Sequence, residues 1–142
     1  MNTSYNEIYN IFSQKITDFI ILDLEDDVLQ PMLLGWMKSA IAKIMKPIEH
    51  DLSDRNDNEM MFNNVLNEIE KEIIACSMVV EWITPQVNST MNTQQFFGGK
   101  EEKFYAQKNQ LEGIKALRDD MRIEARKLRR DYVTANSSYL NG

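Results

Sequence analysis

The stretch from Met61 to Ile83, MFNNVLNEIEKEIIACSMVVEWI, constrains this chain more than any other. Phe62, Leu66, Ile69, Ile73, Cys76, Val80 and Ile83 recur at alternating spacings of four and three. That period keeps one side chain per turn on a single helical seam. From Asn63 to Glu72 the remaining faces are polar. From Ile73 onward Ile74, Ala75, Met78, Val79 and Trp82 fill nearly the whole circumference, leaving Ser77 and Glu81 as polar breaks. A helix that is apolar all round is buried. The second half of this stretch is therefore expected as the central rod of a helical bundle, or wedged between chains.

The rest of the chain supplies helices to pack around it. Ser4 followed by Glu7 has capping-box spacing. Tyr5, Ile8, Tyr9, Phe12, Ile16 and Phe19 then share a stripe, which predicts a helix over 5–19. An acidic cluster, Glu25-Asp26-Asp27, stands where it faces the positive end of a second helix, predicted over 30–45 with Pro31 in its first turn. Met32, Leu33, Trp36, Met37, Ala40, Ile41 and Ile44 form its body, and Pro47 ends it. Gly35 inside it costs ~1 kcal/mol against Ala, which suggests a close-packed neighbour. Residues 48–58 read as a polar loop, with Asp57 or Asn58 capping a central helix over 59–84 that Pro85 ends. The stretch 86–99 reads as irregular, with room for a short helical turn over 91–97, and carries Phe96 and Phe97 before Gly98-Gly99. A last helix is predicted over 100–132, on the stripe Phe104, Leu111, Ile114, Leu117, Met121, Ala125, Leu128 and Tyr132. At roughly 48 Å it is longer than a compact bundle of this size needs, and Gly113 is a candidate bend. The expectation is an all-α fold: a bundle of about four helices forming one domain over 1–132, then a polar tail or arm over 133–142.

Composition agrees and narrows the function. The 142 residues suffice for one domain that buries roughly two thirds of its unfolded surface. Five Gly and three Pro argue against a many-turned β fold. A net charge of −6 disfavours a general nucleic-acid binder. One cysteine makes no internal disulfide, so the chain reads as intracellular. MNTSYNEIYN lacks the order of a signal peptide, and the run 73–80 is far below the ~20 residues that span a bilayer.

Charged and reactive residues yield little chemistry. Arg118, Arg122, Arg126 and Arg130 recur every fourth residue, with Arg129 beside them. Such like charges repel by a few tenths of a kcal/mol per pair. The bland reading is a solvated face suited to a helix C-terminus. The functional reading is a stripe that docks on an acidic surface of a second copy, at Glu25-Asp26-Asp27 or at Asp51, Asp54 and Asp57, a head-to-tail contact that closes a ring. His50, the lone histidine, reads as a solvated loop residue, and Cys76 as a small buried apolar one. No zinc set follows from them. Asp51, Asp54, Asp57 and Glu59 lack the order of a calcium loop. Gly98-Gly99-Lys100 is not a Walker loop, because Gln94 and Glu101 occupy the places of its distal Gly and its Ser or Thr. No catalytic triad is available, and no cofactor site. Nine methionines serve as adaptable filler, with Met60, Met61 and Met91 off the clearest seams.

Three blocks of sequence add a resemblance. They are NEIYNIFSQKITDF, EKEIIACSMVVEWITPQVNST, and QFFGGKEEKFYAQKNQ continuing into RDDMRIEARKLRRDY with NSSY after it. Together these resemble a family of small structural proteins of tailed bacteriophages, the head–tail connector or adaptor proteins of the neck. The resemblance implies a small helical bundle without catalytic activity. It implies a homo-oligomeric ring of about twelve copies below the portal protein. Such a ring extends the DNA channel without specific DNA binding and offers tail-side neck proteins a platform. The location implied is the virion neck, after the host cytoplasm. Candidate subunit-interface residues are Arg118, Arg122, Arg126 and Arg130 with Glu25, Asp26 and Asp27. Candidate portal contacts are Phe96, Phe97, Ser137, Ser138 and Tyr139. Rival readings are another neck or tail-completion protein, or a small helical DNA-binding regulator that uses the arginine stripe.

Overall fold

A computed structural model describes residues 2–16, 25–44, 50–97 and 101–136, without the side chains of 89–97, 101–111 and 133–136. Four helices dominate the described residues, as expected: α1 (Tyr5–Lys15), α2 (Asp26–Ile44), α3 (Glu68–Phe97) and α4 (Glu101–Asn136). Three two-residue strands accompany them: β1 (Thr3–Ser4), β2 (Arg55–Asn56) and β3 (Met61–Phe62).

The expected capping box starts α1. Ser4 Oγ accepts from the Asn6 N–H, and the Ser4 N–H donates to Glu7. The helix stops at Lys15, with Ile16 as its cap, short of the expected 19; Phe19 lies outside the described residues. In α2 the Glu25 carbonyl accepts from the Val28 and Leu29 N–H groups. The helix thus starts earlier than expected. Asp26 and Asp27 belong to its first turn, and Pro31 sits a turn further in. Only one backbone bond is lost there, the one Pro31 would donate to Asp27. Pro47 lies outside the described residues. Gly35 does not mark a close approach: a Cβ built on it meets nothing within 4 Å.

The largest departure falls between 50 and 68. In place of a polar loop and a helix from 59, the chain makes a three-stranded antiparallel sheet in the order β1-β3-β2. Phe62 faces Thr3 on one side and Arg55 on the other. Asn56 explains the turn. Its side-chain oxygen accepts from the backbone N–H groups of Asn58 and Glu59, which bends the chain back instead of starting a helix. Met60 takes a left-handed φ of 57° there, and its carbonyl accepts from the Tyr5 N–H. Asn67 caps α3 instead of Asp57 or Asn58. It exchanges hydrogen bonds with Glu70 at 2.9 and 3.0 Å, a capping box with asparagine at its head.

Pro85 does not end α3, which continues through it to Phe97. Pro85 is exposed, while Ile83 and Val87 are fully buried. Burial on the inner face outweighs one lost backbone bond and the usual bias of the pre-proline residue. Nearby, Thr84 Oγ1 donates to the Val80 carbonyl at 2.7 Å. Residues 86–97 are therefore helix rather than irregular chain. Three residues separate α3 from α4, and residues 122–129 lie beside 77–81, so the two helices run antiparallel. The extra turns of α3 give α4 a partner of similar length. α4 also runs four residues into the expected tail, to Asn136.

The core gathers around α3, where Ile73, Ile74, Ala75, Cys76, Met78, Val79 and Ile83 are fully buried. Two residues of the expected seam behave otherwise: Ile69 is 37% exposed and Val80 is half-buried. Phe62 and Leu66 are core residues too, but from the sheet and the approach to α3. Phe12 of α1 lies 5.9 Å from Trp36 of α2 and 6.3 Å from Trp82 of α3, tying the three helices together. Each such ring contributes on the order of 2–3 kcal/mol through burial. On α4 the inner face carries Ile114, Ala125 and Tyr132, with Leu117, Met121 and Leu128 half-buried. That is the expected stripe; Phe104 and Leu111 lie outside the described side chains.

Candidate functional site

The two polar breaks in the apolar half of α3 point to one place. Ser77 and Glu81 are four residues apart, hence on one helix face. That face meets the last turns of α2 and the second half of α4. The three helices enclose a cleft of about 220 Å³. Lys43 comes from α2, and Arg122, Arg126 and Arg129 from α4. Ala40, Ile44, Val80 and Ala125 supply its apolar surface. Arg122, Arg126 and Arg129 flank the buried seam of α4 on the side that turns toward α2, which is why they converge.

Charge in the cleft is one-sided. Lys43 Nζ meets Glu81 at 2.6 Å, and the Glu81 side chain is 15% exposed, so these two offset each other. Arg122 has Asp119 at 4.0 Å, and Arg118 has it at 3.3 Å. Arg126, Arg129 and Arg130 form no ion pair among the described residues. Over 115–131 the chain holds seven Lys or Arg against four Asp or Glu, a local excess of positive charge in an acidic protein. Beside the cleft, Ile123 is 62% exposed and forms a shallow hollow with Arg126, Lys127 and Arg130.

The expected interface residues fall into two separate groups. Arg118, Arg122, Arg126 and Arg130 line one edge of α4, as their spacing required. Glu25, Asp26 and Asp27 stand at the start of α2, all exposed, with Val28 49% exposed beside them. The end of α2 lines the same cleft as Arg122, Arg126 and Arg129, and its start is roughly 26 Å away along the helix, at 1.5 Å per residue. The structure thus does not bring the two groups together within one chain. Phe96 and Phe97 are the last residues of α3, but their side chains lie outside the described set. Ser137, Ser138 and Tyr139 lie outside the described residues altogether.

Two polar nodes escaped the sequence reading, and both are structural. Asp57 accepts from Tyr5 Oη at 2.6 Å, from Lys38 Nζ at 3.1 Å and from Arg55 Nε at 3.3 Å, joining α1, α2 and β2. The Tyr5 hydrogen bond, with help from Lys38, holds its carboxyl below the usual range. His50 is not simply a solvated loop residue. Its Nδ1 lies 2.8 and 2.9 Å from the two oxygens of Glu70, whose side chain is fully buried at the start of α3. The pattern Asn67-x-x-Glu70 was the available signal for this node. Cys76 is buried as expected, and burial pushes its thiol up to about 11. Among the described residues no cluster of His, Cys, Asp or Glu could hold a metal ion. None of the described helices is long and apolar enough to cross a membrane.

No family model, no curated protein and no solved structure matches this chain.

Proposed function

We propose that this chain is a structural subunit of a tailed-phage neck, a head–tail connector without catalytic activity. About twelve copies close into a ring below the portal, extend the DNA channel and present a platform to tail-side neck proteins. The chain resides in the host cytoplasm until it joins the virion. The observation that carries this reading is the separation of two complementary charged groups on one body. The cleft arginines of α4 stand at the end of α2 and the acids at its start, roughly 26 Å away along the helix, and no ion pair joins the two groups among the described residues. A surface and its complement displaced on one subunit make a heterologous contact, and such contacts close into rings when the rotation between copies closes. The three blocks of sequence that resemble connector proteins supply the setting. A weak contact repeated on a template leaves the free chain monomeric until the portal concentrates it. The overall charge of −6 suits a channel past which DNA slides.

Negative-stain imaging of the protein mixed with portal assemblies tests the reading. Rings capping the portals are the expected result, and bare portals at saturating protein overturn it. Retardation of duplex DNA by the free protein at physiological salt would favour the DNA-binding regulator instead.

A further inference from the structure

We infer that the cleft between α2, α3 and α4 is a binding site for a phosphate-class dianion, inorganic phosphate or a phosphomonoester. The inference does not depend on ring formation. With Lys43 and Glu81 offsetting each other at 2.6 Å, Arg122, Arg126 and Arg129 remain as cationic residues lining one concave space. Glu81 is held by Lys43, and among the described ion pairs Asp119, 4.0 Å from Arg122, is the one carboxylate paired with a cleft arginine. Gathered cations repel, and a dianion between them converts that repulsion into attraction. Guanidinium forks match the oxygens of a tetrahedral anion two at a time, which a lone ammonium does not. Ser77 lines the same space, and its hydroxyl is a rotatable donor.

Size fits the same ligand. The cleft of about 220 Å³ compares with roughly 30 Å³ for one water in the liquid. It holds a phosphoryl group with a small substituent that rests on Ile44 and Val80. A duplex backbone, by contrast, presents singly charged phosphodiesters along a broad surface, which a recess between three helices does not follow.

Calorimetric titration and thermal melting of the full-length chain, in chloride at matched ionic strength, test the site. Inorganic phosphate and glycerol 2-phosphate are expected to bind and to raise Tm by about 3 °C or more at a hundredfold excess over Kd. Succinate, a dianion of different shape, is expected to do neither. Arg129→Gln, within the cleft but off the four-residue stripe, is expected to weaken phosphate about tenfold or more. Arg130→Gln, on the stripe but outside the cleft, is expected to leave it unchanged. If Arg129→Gln loses its helical circular dichroism, Arg126→Gln takes its place. Equal shifts with succinate, or phosphate binding indifferent to both cleft variants, overturn the inference. So does duplex DNA binding that both cleft variants abolish while phosphate and glycerol 2-phosphate fail to bind. A missing ring on portals leaves these readings untouched, so the two proposals fail separately.

Discussion

Tyr9 shows how one atom sets a condition on stability. Its ring is buried on the stripe that its spacing announced, but its hydroxyl has no hydrogen-bond partner among the described residues. Burial, with the Asp57 charge nearby, pushes this phenol from 10.0 up to about 12. The unfolded chain therefore releases the proton first. Stability that is whole below pH 10 is lost as pH rises toward 12. Tyr9→Phe removes an orphaned polar group and keeps the ring. It is expected to stabilise by about 1 kcal/mol at pH 7. It should also reduce the fall in stability over pH 10–12 by about one proton, read from urea midpoints across that range. Tyr5 is the contrasting case, because its hydroxyl is held by Asp57 at 2.6 Å. Periodicity placed both tyrosines inside and had no means of telling them apart.

At the scale of elements, some helix positions go against intrinsic preference without a packing reason. Gly35 and Gly113 have open space where a Cβ would sit, and Pro85 is exposed within α3. Gly35→Ala and Gly113→Ala are each expected to stabilise by ~1 kcal/mol, through lower backbone entropy in the unfolded chain. Pro85→Ala restores the N–H that the Glu81 carbonyl lacks, and up to ~3 kcal/mol is expected. Urea unfolding checks all three: midpoints should rise with the slope unchanged. The result for Pro85 matters most for the fold, since α3 beyond residue 84 is what gives α4 its partner.

On the scale of the whole molecule, the proposed ring rests on the charged groups of α2 and α4 meeting between copies. One exposed ion pair is worth about 0.2–1 kcal/mol, too little to hold a dimer but enough when repeated around a closed ring. Arg118→Glu with Arg130→Glu spares the cleft arginines. Labelled copies bound per portal are expected to fall from about twelve toward none. Adding Asp26→Lys and Asp27→Lys to the same chain should restore them. Binding unmoved by the first pair, or unrescued by the second, would remove this contact from the account.

Helix content, the buried stripes of α1 and α4 and the apolar half of α3 were legible in the residues, because each follows from a period of 3.6 and the cost of wetting apolar surface. The arginine edge was legible for the same reason. Where helices stop was not. Asn56 turned the chain before a strong apolar seam could begin a helix, and the burial of Ile83 and Val87 carried another straight through a proline. Those outcomes depend on partners distant in sequence: β1 pairing with β3 across almost sixty residues, and α4 lying along α3. The cleft belongs to the same category. Ser77 and Glu81 stand out in the linear chain only as polar breaks and Arg129 only as a neighbour of the stripe, Lys43 not at all, and only the packing of three helices put the four around one space.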